Sequence, residues 1–170
     1  MTRSKYRQIA EAIGVLGVIG SLVFVGYEDR QSAIATKAET DALLADAYLE
    51  LNLMLASSPE LASALSTWGE NPGSASPEEQ TLLSAFWRAL FHVWSNAHRQ
   101  HLNGTLDPSL FQAVLQEMAM YARDPSAARS DSALHLPDRR VQMQWAWESE
   151  RFLFNPEFQA FVDTVLAAGK

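Results

Sequence analysis

The sequence predicts an all-α protein: one N-terminal transmembrane helix running into a long amphipathic helix, which packs in a soluble bundle of about five to six helices. Three observations lead there. Ala12 to Tyr27 is an uncharged, mostly apolar run. No Gly or Pro occurs between Tyr27 and Ser58. After that, Ser58-Pro59, Ser76-Pro77, Asp107-Pro108 and Asn155-Pro156 each pair a capping residue with a proline at the first helical position. No stretch alternates with the period of two that a strand needs.

The first element is the apolar run AIGVLGVIGSLVFVGY. Its sixteen residues span about 24 Å as a helix, against roughly 30 Å of hydrocarbon in a bilayer. Starting at Ile9 lengthens it to about 28 Å and places Glu11 near the headgroups. Tyr6 and Tyr27 stand at the two ends, where amphipathic rings favour the interface. Three alternatives fit less well. Four glycines would weaken a helix buried in a water-soluble core. Ala33-Ile34-Ala35 resembles a signal-peptidase site, but it lies beyond Glu28, Asp29 and Arg30. An in-plane anchor would need a polar face, and the run has none. Ala10, Gly14, Gly17 and Ser21 fall on one stripe of this helix, which would let a second transmembrane helix approach closely. Glycine is also common in membrane helices without any such role.

Charge is divided along the chain. Arg3, Lys5 and Arg7 oppose Glu11 in residues 1–27, whereas residues 28–170 carry ten basic and nineteen acidic side chains. The expected organisation is a membrane anchor over 1–30, with its span at about 9–27, and an acidic helical bundle over 31–170. Three basic residues before the span against Arg30 and Lys37 after it predict a cytoplasmic N-terminus and an extracytoplasmic bundle, in the inner membrane of a bacterial cell.

The bundle elements follow in order. Ile34, Ala38, Leu44, Tyr48, Leu51 and Leu55 mark an apolar stripe on a helix that continues from the span without a flexible linker. Ser58-Pro59-Glu60 opens a short helix carrying Leu61, Leu65 and Trp68. Gly69 to Ser76 is the clearest loop. Ser76-Pro77-Glu78-Glu79 starts a helix that should run to about Leu102 and stop at Gly104. Leu83, Trp87, Leu90 and Trp94, with Phe86 and Val93 beside them, make it the expected centre of the bundle. Asp107-Pro108 opens a helix that turns Leu110, Phe111, Val114, Leu115 and Met118 inward. Asp124 to Pro137 reads as irregular, and Asp138 to about Phe152 as helical. Phe158, Phe161, Val162, Val165 and Leu166 form the inner face of the last helix, which Gly169 ends.

Candidate chemistry is sparse. The absence of Cys excludes disulfides and thiolate chemistry. A net charge of −7 argues against a nucleic-acid partner. His98 and His101 share a helix face, but no third ligand and no His-Glu-x-x-His accompanies them, so they read as surface or interface histidines. Glu78/Glu79 is explained by helix-start electrostatics, and Glu148/Glu150 flanks no obvious polar pocket. No Gly-x-Ser-x-Gly elbow occurs, and Asn71-Pro72-Gly73 is turn chemistry. Arg129 with Arg139-Arg140 reads as a solvated basic face. We therefore expect no catalytic residues, no metal and no cofactor. Trp145 and Trp147 lie about 200° apart on one helix, so either that helix is sandwiched within the bundle or one indole belongs to a partner interface.

The segment EAIGVLGVIGSLVFVGYEDRQ, with its Arg30-Gln31 step, the closing FNPEFQAFVDTV and the middle stretch HRQHLNGTLD together resemble a widespread bacterial family of uncharacterised proteins. That family has an Ala/Ile/Gly-rich N-terminal transmembrane helix and a C-terminal all-helical domain. The resemblance implies a fold and no activity. In one departure, relatives often carry more basic residues just after the span, where this chain has Glu28 and Asp29. The function expected from the residues is that of an accessory or scaffold subunit. It would act by protein contacts within a larger membrane complex of the respiratory or photosynthetic kind, through the bilayer and a membrane partner or a second copy. A tethered ligand-binding or sensor domain is the alternative, and would require a pocket between helices.

Overall fold

The computed structural model of the protein describes residues 3–68, 72–123 and 139–169, and for residues 3–10, 12 and 72 it describes the backbone alone. The described residues form six α-helices and two short 3₁₀ turns, with no strand, so the protein is all-α. The chain divides into two compact units, Met1–Glu39 and Thr40–Lys170.

Helix α1 (Arg3–Ser57) runs unbroken through 55 residues, as the lack of Gly and Pro after Tyr27 predicts. Its four glycines do not interrupt it, and a Cβ added at any of them would meet nothing within 4 Å. Leu44 is the first fully buried side chain of α1 among those described. Tyr48, Leu51 and Leu55 pack half-buried against the core of the second unit, whereas Ile34 remains 58% exposed. The expected stripe therefore packs only from Leu44 onward.

The expected transmembrane helix is not supported. Among the described residues no helix is long and apolar enough to cross a membrane. The physical reason is length: the uncharged run alone falls about 6 Å short of a bilayer core. The extension needed to close that gap includes Ile9 and Ala10, whose side chains lie outside the described residues, and it takes in Glu11.

The second unit is held together by caps and an aromatic core. Helix α2 (Pro59–Thr67) starts where the Ser58 hydroxyl accepts from the Leu61 amide at 3.2 Å. A 3₁₀ turn, Pro72–Ser74, lies within the expected loop, of which Gly69–Asn71 fall outside the described residues. Helix α3 (Pro77–Leu102) opens on a reciprocal box: the Glu79 amide donates to Ser76 Oγ at 3.3 Å, and the Ser76 amide donates to Glu79 Oε2 at 2.9 Å. It ends at Leu102, and Gly104 just beyond turns the chain with a φ of 71°, the left-handed conformation glycine adopts without strain. Helix α4 (Pro108–Ala122) is capped by Asp107. The expected irregular segment Asp124–Pro137 lies outside the described residues.

Helix α5 (Arg139–Glu150) stops two residues before the expected end and passes into a 3₁₀ turn, Arg151–Leu153. The following Asn155-Pro156 keeps the chain from resuming that helix, since proline drives the residue before it out of the α region. Asn155 takes an extended backbone and caps α6 (Pro156–Ala168) by accepting from the Phe158 amide at 2.8 Å. Gly169 is needed there for space. A Cβ at that position would fall on the backbone carbonyl of Ala122, where α4 and α6 meet.

Helix α3 is central, packing on α2, α4 and α5. Its Leu83, Trp87, Phe91 and Trp94 are fully enclosed. Rings interlock around it: Trp87 meets Tyr121 edge-on at 5.5 Å, and Phe91 meets Trp147 at 5.1 Å.

Candidate functional site

Two features of the described residues have the character of a site. The first is the exposed apolar section of α1. Ile13, Leu16, Leu22 and Val23 are each about two-thirds exposed, and Val15, Val18, Ile19 and Phe24 are each more than half exposed. These positions cover the whole circumference of the helix, which has no polar side. On the small-residue stripe, an added Cβ at Gly14 or Gly17 would meet nothing within 4 Å, and Ser21 Oγ donates to the Val18 carbonyl at 2.8 Å. The side chain of Ala10 lies outside the described residues.

The second is a cleft of roughly 290 Å³ between α1 and α4, within the second unit. Asp41 and Tyr48 of α1 and Glu117 of α4 line it, with Leu44, Leu110 and Val114 as its apolar wall. Glu117 organises one end: Tyr48 Oη donates to its Oε2 at 2.5 Å, and Trp94 Nε1 donates to the same oxygen at 2.9 Å. Burial, reinforced by the hydrogen bond to Glu117, pushes the Tyr48 hydroxyl far above its ordinary value, so it remains a donor at every physiological pH. At the other end Asp41 Oδ1 accepts from the Asp107 amide at 3.3 Å. No short motif marks these residues, because Tyr48 and Glu117 are 69 positions apart. The one trace is an acidic residue on α4 beside Met118, on an otherwise apolar face.

The expected partner-interface residues part company. Trp147 is 2% exposed, and its Nε1 donates to Asp163 Oδ1 at 2.8 Å, so it belongs to the core. Trp145 is half-buried against the same core. Helix α5 accommodates both because it packs on α3 and α4 at once. Nor is Glu150 a bystander of the Glu148/Glu150 pair. It is buried, accepting from Arg88 Nε at 2.9 Å and Ser84 Oγ at 2.7 Å, while Glu148 is exposed. The Arg88 guanidinium holds the Glu150 carboxyl below the usual range. Of the basic cluster, Arg129 lies outside the described residues, and Arg139 sits 5.8 Å from the Tyr121 ring centre. Among the described residues no group of three His, Asp or Glu side chains could hold a metal ion.

His98, expected at the surface or at an interface, is buried in the bundle. It is 8% exposed, stacked on Phe161 at 4.3 Å, while His101 stacks on Phe111 at 3.9 Å. Burial lowers the His98 pKa from its ordinary 6.5, opposed by Glu157 and assisted by His101. A depressed histidine pKa means that the unfolded chain takes up the proton more readily. Its contribution to stability is therefore complete above the ordinary value and is lost as pH falls below it. The melting temperature should drop between about pH 7.5 and about pH 5.5, and His98→Leu should shrink that drop. An equal drop in both proteins would assign it to other groups.

No family model matches the chain, and no curated protein or solved structure is similar enough to match it.

Proposed function

We propose that the protein is a membrane-anchored helical scaffold, in which the N-terminal part of α1 inserts into a lipid bilayer and the bundle works through contacts with other proteins. One observation carries this reading: a helical section that is uncharged from Ala12 to Tyr27 and whose described side chains, from Ile13 to Tyr27, are exposed on all sides. Soluble proteins rarely leave so continuous an apolar surface in water, and a helix apolar all round is at rest in a protein core or in lipid. The shortfall in length is met by local thinning of the bilayer, with residues 9–11 at its edge, at a modest cost per ångström. Arg3, Lys5 and Arg7 favour a cytoplasmic N-terminus, which puts the bundle on the far face of the inner membrane. The stripe of Ala10, Gly14, Gly17 and Ser21 suits close approach by a partner's membrane helix or by a second copy. The class of assembly is an accessory position in a larger membrane complex, of the respiratory or photosynthetic kind.

Fractionation of bacterial cells tests the reading. The full chain should stay with the membranes through an alkaline carbonate wash, and a chain starting at Ala33 should be soluble and helical. Release of the full chain by the wash would overturn the anchoring.

A further inference from the structure

We propose that Asn103 is a site of spontaneous covalent modification, at which the corner between α3 and α4 ages to an aspartyl or isoaspartyl link and loosens. The chain has five asparagines, and their neighbours separate them. Asn71 and Asn155 precede prolines, whose nitrogen carries no hydrogen to lose and cannot act as a nucleophile. Asn52 and Asn96 lie inside α1 and α3, where the next residue has a side chain and its amide belongs to the helical ladder. Asn103 alone is followed by glycine. It caps the end of α3, and both Asn103 and Gly104 are exposed. A Cβ built on Gly104 would meet nothing within 4 Å, so that side of the turn is open.

Water is the only co-reactant. The Gly104 backbone nitrogen, having lost its proton to solvent base, attacks Asn103 Cγ. The new N–Cγ bond closes a cyclic imide. The bond from Cγ to the side-chain nitrogen breaks, and that nitrogen leaves as ammonia after taking a proton from solvent. Water then adds to one of the two imide carbonyls. Opening at Cγ gives an aspartyl residue, and opening at the backbone carbonyl routes the chain through Cγ. The native turn sets the rate. The Gly104 amide donates to the His101 carbonyl at 3.0 Å, and this bond must break before the nitrogen can turn on Cγ. Beyond it, the Thr105 hydroxyl lies 3.2 Å from the Gln100 carbonyl oxygen and 2.5 Å from Gln100 Oε1, tying the turn down. Helix ends open locally more readily than interiors, which confines the reaction to this corner. Either product places a carboxylate at the negative end of α3. The isoaspartyl link also adds a backbone carbon shortly before Leu106, which is 2% exposed in the core. The inference goes beyond the membrane reading and does not depend on it, because all of these residues lie in the second unit.

Incubation of the full chain in mild detergent at mildly alkaline pH, followed by peptide mapping in the mass spectrometer, tests the proposal. Asn103 should gain the mass difference between an amide and an acid at least tenfold faster than Asn52 or Asn96. An isoaspartyl-specific methyltransferase should label the aged chain at that position, and Asn103→Ser should remove both signals. Folded Thr105→Val, which releases the turn without altering either reacting residue, should at least double the rate. The labelled fraction should melt at a lower temperature than fresh protein and than fresh Asn103→Asp, which carries the charge without the added backbone carbon. A rate at Asn103 no greater than at Asn52 and Asn96, an unchanged rate in folded Thr105→Val, or a labelled fraction that melts with fresh protein would each overturn the proposal.

Discussion

Trp94→Ala should destabilise the bundle by about 3–5 kcal/mol, a large part of the stability a domain of this size possesses. Trp94 is fully enclosed in the middle of α3, with ring neighbours Trp87 at 6.5 Å and Phe91 at 5.7 Å. Truncation leaves a cavity that these rings cannot close without losing their edge-on contacts. It also removes one of the two donors that hold Glu117, leaving that carboxylate to Tyr48 alone. Chemical denaturation of the full chain in mild detergent, followed by circular dichroism, measures the loss. Met120→Ala on α4, where the side chain is 52% exposed, is the control and should stay within about 0.5 kcal/mol of wild type. Equal effects of the two substitutions would mean that the α3 core does not pack as described.

The double substitution Val18→Lys with Leu22→Lys should move the protein from the membrane fraction to the soluble fraction. Both positions lie one turn apart in the exposed apolar section of α1, 59% and 66% exposed. Lysine near the centre of a membrane helix costs about 2.5–3.5 kcal/mol, so two cost about 5–7 kcal/mol, roughly four orders of magnitude in partition. Neither residue is a member of the buried core, so helicity should persist. The matched control is Leu43→Lys with Leu49→Lys, also on α1 and 59% and 56% exposed, but within the second unit. That pair should leave membrane attachment unchanged. A membrane-bound Val18→Lys/Leu22→Lys protein would shift the attachment from the N-terminal helix to the bundle surface. Loss of attachment in both variants would reduce it to nonspecific adhesion of apolar surface.

Local chemistry made much of this architecture legible in advance. Ser58, Ser76, Asp107 and Asn155, each followed by proline, start α2, α3, α4 and α6 at the expected residues, because a cap and a proline act within one turn of chain. The apolar faces of α3, α4 and α6 likewise follow from helical periodicity. Leu83, Trp87, Phe111, Met118, Phe158 and Val162 all lie in the core as their spacing indicates.

What escaped were the polar groups whose meaning depends on distant partners. Gln142 is fully buried: its side-chain amide donates to the Leu65 carbonyl at 3.0 Å, satisfying an orphan acceptor in the last turn of α2, 77 residues away, while its Oε1 finds no hydrogen-bond partner. Glu150 is buried because Arg88 and Ser84 reach it from α3, and Glu117 is anchored by Tyr48 from α1. In a sequence these are ordinary surface letters. A carboxylate's cost of burial is cancelled only by donors that the fold delivers, and no periodicity encodes them.

The sequence by itself thus determined the helices, their caps, their inward faces and the uncharged apolar run of α1, all of which depend on interactions spanning a few residues. Tertiary structure alone decided which polar side chains are buried, that Trp147 joins the core, that His98 lies among phenylalanines, and that Asp41 and Glu117 line one cleft. Each of those depends on the environment that packing creates, where an unpaired polar group is costly and a paired one is not.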